Sequence, residues 1–216
     1  MNKILLVTRP KYDDTTYYLF HWTKKVIKLA DKKGIQILDL KEKRANRKEF
    51  ESIMLKKQPL LIFLNGHGNV DRVTGQNGEI LIKTNDNEVL LKSKIVYALS
   101  CKSGKELGHK SIEKGAVAYI GYDDDFIFYF EDNKVSKPLD DKTAKLFIEP
   151  SNYVIESLLK GHSVGVSCQR SRQLYKKNIQ KLLSIDSSSE LIPFLIWDMK
   201  HQVCLGDKEG ALSKNK

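Results

Sequence analysis

The sequence predicts an α/β fold with a central, mostly parallel sheet covered by helices on both faces, and three observations predict it. Leu60-Leu61-Ile62-Phe63-Leu64 and Ile95-Val96-Tyr97-Ala98-Leu99 are unbroken apolar runs of strand length, the pattern of strands buried on both faces. Strand-like and helix-like segments alternate through the first half of the chain, which implies right-handed crossovers and parallel neighbours. Both apolar runs stop abruptly in polar, glycine-containing stretches, Asn65-Gly66-His67-Gly68-Asn69 and Ser100-Cys101-Lys102-Ser103-Gly104. In open α/β sheets the carboxyl ends of strands are where ligand sites form.

The elements follow in order. Residues 4–8 form a first buried strand, and Asp13, Asp14 and Thr15 supply capping side chains for a helix over 16–32 that Gly34 closes. Residues 35–39 read as a second strand. A second helix over 47–57 has Phe50, Ile53 and Met54 on one apolar face. After the third strand, which delivers His67, turn chemistry at Gln76-Asn77-Gly78 and Asn85-Asp86-Asn87 predicts a small β-hairpin. The fourth strand delivers Cys101, a helix over 105–113 follows directly, and residues 116–120 make a fifth strand. Residues 131–149 read as a surface loop or insertion, with Pro150 opening a helix to 159 that Gly161 ends. Another helix spans 164–183 and a polar linker 184–190. Two final strands, 193–197 and 202–205, are joined by a tight turn, and 211–216 is a frayed tail.

At 216 residues the chain is expected to form one domain with a sizeable core. Its 41% hydrophobic and 30% charged content is that of a soluble globular protein. No apolar run approaches the ~20 residues of a membrane span. The opening Met1-Asn2-Lys3 leads into an apolar run too short for a signal-peptide core, so the expected location is cytoplasmic, with no membrane partner. Cys101, Cys168 and Cys204 lack metal-ligand spacing and are too few for a disulfide scaffold. The net charge of +10 favours acidic partners. Its lysines are scattered through every segment without a nucleic-acid motif, so a solvated surface is expected and no nucleic acid is required.

A lone cysteine is ordinarily a small buried hydrophobe, and a lone histidine a hydrogen-bonded loop or core residue. Their placement at the ends of two successive strands, with glycine at both, points instead to a thiolate nucleophile with an imidazole partner. The predicted helix start after Cys101 would favour the thiolate further. Gly66 and Gly68 would leave room for a substrate carbonyl, and the Gly68 and Cys101 amides would face a developing oxyanion. The other histidines, His21, His109, His162 and His201, lack a glycine-flanked strand end, and Cys168 and Cys204 read as packing residues. Asp123, Asp124 and Asp125 end the fifth strand on the same rim and create a local negative field that suits a lysine or arginine side chain.

The His-Gly after one hydrophobic strand and the Ser100-Cys101 after the next resemble the His-Gly and Ala-Cys signature of the caspase-like cysteine peptidases, with serine in place of the usual alanine. Gly115 to Gly121 is similar to the Gly-Ala-hydrophobic strand of the gingipain-like and CHAT domains. Trp197 to Asp207, ending in Leu-Gly-Asp, looks like their closing segment. The resemblance spans most of the chain in order. It implies a three-layer caspase-like fold with a small hairpin between the His and Cys strands, and a cysteine endopeptidase with no metal or organic cofactor. It also implies a protein or peptide substrate, cleaved after Lys or Arg read by Asp123 to Asp125, and activity that is latent until a regulatory protein partner or a cleavage releases it. A catalytically inactive, regulatory caspase-like binding module is the alternative. A flavodoxin-like nucleotide or phosphate binder built on the loop from Arg9 to Asp13 ranks last, because that loop lacks glycine.

Overall fold

The computed structural model describes residues 3–184 and 190–212. Its centre is a six-stranded sheet of β1 (Ile4–Arg9), β2 (Gln36–Lys41), β3 (Leu61–Asn65), β7 (Ile95–Leu99), β8 (Ala118–Tyr122) and β9 (Gln202–Gly206), in the spatial order β2-β1-β3-β7-β8-β9. The first five strands pair in parallel and β9 runs antiparallel on β8.

Period-two alternation explains why the strand runs are apolar throughout. Leu5, Val7, Leu61, Phe63, Ile95, Tyr97 and Ile120 enter a core on one face. Leu6, Ile62, Leu64, Val96, Ala98 and Tyr119 enter a second core on the other. The first face is covered by α1 (Asp14–Lys32), α4 (Lys142–Leu159) and α5 (Val164–Leu183), through side chains such as Trp22, Ile148 and Cys168. The second is covered by α2 (Arg47–Lys57) and α3 (Leu107–Glu113), through Phe50, Met54 and Leu107. The small hairpin expected between the His and Cys strands is β5 (Arg72–Thr74) and β6 (Ile80–Lys83), joined across Gln76–Gly78, and β4 (Gly68–Asn69) adds a third antiparallel strand on β5. Val73, Leu81 and Ile82 join the second core, so the hairpin is anchored by packing as well as by its ladder.

Three expectations are corrected. Residues 142–149 are not loop: they are the first half of α4, capped by Asp141, which accepts from the Ala144 amide at 2.8 Å, and they bury Ala144, Phe147 and Ile148. Pro150 lies inside that helix instead of opening it. It leaves the Leu146 carbonyl without its helical donor, and the Asn178 side-chain amide from α5 supplies one at 2.9 Å. Residues 193–197 are not a strand. They lie in α6 (Ile192–His201), with Pro193 in its first turn and Leu195 and Asp198 buried one helical turn apart. That helix passes into β9 without a turn between them. Leu212, placed in the tail by sequence, is buried in the first core. The remainder of the tail, 213–216, and most of the predicted linker, 185–189, lie outside the described residues.

The carboxyl rim is tied together by side chains where the ladders stop. The β1–β3 register ends at the Val7 and Phe63 pair. Beyond it the Asn65 side chain donates to the Thr8 carbonyl at 2.9 Å, the Asn65 amide donates to Thr8 Oγ1 at 3.1 Å, and Thr23 of α1 donates to Asn65 Oδ1 at 3.3 Å. All three residues are buried, so their polar atoms depend on each other. Asn65→Ala is expected to destabilise the protein by about 1–3 kcal/mol, measured as a lower urea midpoint at unchanged m-value.

Candidate active site

β3 and β7 pair in parallel from Leu61 with Ile95 to Asn65 with Leu99. His67 and Cys101 therefore sit two residues past partnered positions, on one rim. The chain holds the two loops in contact. A Cβ on Gly68 would lie 2.6 Å from the Cys101 carbonyl oxygen and 2.9 Å from the Ser100 Cβ. Gly66, at φ +149°, has the Thr74 carbonyl 2.2 Å from where a Cβ would be. These glycines are thus required by the protein's own backbone, not by an incoming substrate carbonyl as the sequence suggested.

The His67 ring is oriented by a residue that sequence reasoning treated only as a cap. Asp13 is the N-cap of α1, and its Oδ1 accepts from the Thr16 amide and hydroxyl, each at 2.8 Å. Its Oδ2 accepts from His67 Nε2 at 2.7 Å. Burial works against the charge on Asp13, but the Thr16 amide and the His67 ring outweigh it and hold the carboxyl below its ordinary value. The helix N-terminus favours the same charge. With Nε2 donating, neutral His67 carries its lone pair on Nδ1. Tyr12 meets the ring edge-on at 6.0 Å between centroids.

Cys101 rests in a different environment from the one expected. α3 begins only at Leu107, because the Glu106 and Leu107 amides donate to the Val70 carbonyl and hold the intervening loop open. The nucleophile candidate therefore gains no helix N-terminus. The sulfur lies 3.9 Å from the Phe126 carbonyl. Burial pushes the thiol up to about 11, and the nearby Asp125 adds to the rise. Lys102 follows in a left-handed conformation, φ 58°, which costs a non-glycine residue about 1 kcal/mol. Its amide donates to the Asp124 carbonyl at 3.0 Å and its ammonium pairs with Asp125 at 2.9 Å. Among the described residues, His67 makes no hydrogen bond to Cys101: its partner is Asp13.

Of the two oxyanion candidates, the ladder geometry orients the Gly68 amide. The Thr74 amide donates to the His67 carbonyl at 2.8 Å, which makes Gly68 and Val73 the non-hydrogen-bonded pair of the β4–β5 ladder. The Gly68 amide thus points away from β5.

The three aspartates after β8 are already engaged. Asp123 accepts from His201 Nδ1 at 2.8 Å, Asp124 Oδ1 accepts from the Asp125 amide at 2.8 Å, and Asp125 pairs with Lys102. α6 straps this segment. Trp197 Nε1 donates to the Asp125 carbonyl at 2.9 Å, and the Ile127 amide donates to buried Asp198 at 3.0 Å. This segment brings the Phe126 carbonyl and the Asp125 carboxylate against Cys101, which stays partly exposed. A cavity of about 670 Å³ opens instead beside Asp13, lined by Tyr12, Asp14, Tyr17, Asp132 and Asn133 among others. Among the described residues, Asp14 and Asp132 pair with no cation. Asp14 opens α1, and the segment that carries Asp132 is brought to that helix where Phe130 stacks on Tyr18 and Tyr18 donates to Asp141.

Elsewhere His109 is exposed on α3, as expected. Cys168 and Cys204, read as packing residues, do pack: Cys168 lies in the first core and Cys204 rests against it. Arg9, in the loop considered for phosphate, is buried and bound to Asp39 and to the Phe20 carbonyl, so its guanidinium is already taken. No protein-family model matches the chain, and no curated protein matches it. Among the described residues, no helix is long and apolar enough to cross a membrane.

Two outcomes follow. Peptide-resolved alkylation of Cys101 is expected to be slow at neutral pH and to rise about tenfold per pH unit toward an inflection at about 11; an inflection near neutrality would mean an already activated thiol. Gly68→Ala must push the two loops apart and is expected to cost about 1–3 kcal/mol, read from the denaturant midpoint.

Proposed function

We propose that this chain is a caspase-like cysteine endopeptidase, described here in a latent state, that cleaves proteins after lysine or arginine. The observation that carries the reading is the Asp13–His67 pair at 2.7 Å on the rim where the register-matched loop presents Cys101. A carboxylate that fixes a tautomer and leaves the other ring nitrogen free is the arrangement a general base needs. The mainly parallel sheet, the helices on both faces and the small sheet between the His and Cys strands agree with what the resemblance implies.

In the proposed mechanism, His67 Nδ1 takes the Cys101 proton once the segment from Asp123 to Ile127 is displaced. The thiolate attacks the substrate carbonyl, and the Gly68 and Cys101 amides hold the tetrahedral oxyanion. His67 then gives its proton to the leaving amine, so a thioester remains on Cys101, and water attacks that thioester to regenerate the thiol. Asp13 keeps the imidazolium oriented and charged. A basic substrate side chain is drawn to this rim by the carboxylates of Asp14 and Asp132 around the open cavity and by Asp123, Asp124 and Asp125, whose present partners are residues of the chain itself.

One observation favours the alternative, a regulatory binding module without activity: the sulfur lies against the Phe126 carbonyl and burial raises its thiol to about 11. A peptidyl electrophile with lysine or arginine next to its reactive group separates the two readings. The peptidase reading expects labelling of Cys101 that is absent in Cys101→Ala and slowed about 10²–10⁴-fold in His67→Ala. It also expects Asp13→Asn to slow labelling while His67 is intact. Labelling that ignores His67, or none with candidate partners present, would favour the module. If replacing Asp14 and Asp132 by asparagine, and Asp123, Asp124 and Asp125 by lysine, leaves the preference for a basic side chain intact, the substrate assignment fails.

A further inference from the structure

On the opposite side of the sheet's last strand, α5 and β9 enclose a second group of reactive side chains that the proposed peptidase chemistry does not use. Cys168 stands in the second turn of α5 and is 3% exposed, whereas Cys204, at the middle of β9, is partly open to solvent. The two line one cavity of about 310 Å³ together with Gly165, Arg172, Lys176 and Lys208. Cys168 belongs to the first core and Cys204 packs against that core, and the two thiols act on each other: the Cys204 side chain pushes the Cys168 thiol up, and Cys168 draws that of Cys204 down.

The backbones on either side of the pair are fixed to each other. The Val164 and Gly165 amides at the start of α5 donate to the Gly210 and Lys208 carbonyls at 2.9 and 2.8 Å, and Arg172 donates to the Gln202 carbonyl at 2.6 Å. A Cβ on Gly165 would lie 3.2 Å from Lys208, so helix and strand end approach closely. Within the sheet β9 pairs with β8, with Cys204 opposite Ile120. Two thiols on separately anchored elements, one buried and one reachable, beside three cationic side chains, are the parts of a dithiol oxidation site.

We infer that Cys168 and Cys204 form a reversible disulfide and that a hydroperoxide is the oxidant. The Cys204 thiolate, favoured by Arg172 and Lys208, attacks one peroxide oxygen. An S–O bond forms, the O–O bond breaks, and the released oxygen leaves as water or alcohol after taking up a proton. Cys168 sulfur then displaces the hydroxyl of the Cys204 sulfenic acid and its thiol proton joins that hydroxyl, so the S–O bond breaks, an S–S bond forms and water leaves. The thiol pair loses two electrons and the peroxide gains them. The bond fastens the edge strand to α5. It does not depend on Cys101 or on the peptidase reading.

The full chain carrying Cys101→Ala leaves Cys168 and Cys204 as its only thiols and keeps the test separate from the rim chemistry. After treatment with hydrogen peroxide, denaturation and alkylation, the mass is expected to fall by about 2 Da with no alkyl group added. A cross-linked peptide should join the two cysteines, and dithiothreitol should restore two alkylatable thiols. With Cys204→Ser added, Cys168 should survive the same peroxide exposure as a free thiol. Monomeric protein that still alkylates at Cys168 after Cys204 has been over-oxidised would overturn the inference. So would loss of the Cys168 thiol at an undiminished rate without Cys204.

Discussion

The rim chemistry depends on one constraint, the parallel register of β3 with β7. Five consecutive residue pairs lock the strands so that whatever follows Asn65 emerges beside whatever follows Leu99. The lock is enforced from both faces, since a slip of one residue would exchange the two cores along the whole strand. At the rim itself the ladder gives way to buried side-chain bonds, with Asn65 joining Thr8 of the neighbouring strand to Thr23 of α1. Three elements therefore meet at the base of the His67 loop, and the loop inherits their rigidity.

The same rim keeps its two reactive groups in opposite electrostatic states. Asp13 holds a negative charge against the imidazole, supported by a helix N-terminus. Cys101 lies under a carbonyl and beside a carboxylate, where a thiolate is disfavoured. The segment responsible is short and is held by α6 through Trp197, Asp198 and His201. Latency in this reading is an electrostatic property of that segment. It requires no distortion of the sheet beneath.

Much of this was legible in the sequence, for identifiable reasons. Long periodic helices declared both of their ends: α2 and α5 span the residues their patterns predict, Arg47–Lys57 and Val164–Leu183. The two apolar strand runs and their polar ends were equally plain. Short apolar stretches were not, because Pro193 to Trp197 fits a buried strand as well as one helical turn and a half. Pro150 misled because its position in mid-helix is tolerated only through Asn178, a partner 28 residues away that no local rule reveals. Asp13 was recognisable as a cap, but its second role depends on β1 lying next to β3, which is information about topology and not about spacing.

That second role joins two properties usually kept apart. Because one carboxylate both begins α1 and steadies the imidazole, any fraying of that first turn also disorients the ring. In the peptidase reading this one position carries an architectural demand and a chemical one. Asparagine and serine, adequate at most helix starts, would satisfy only the first.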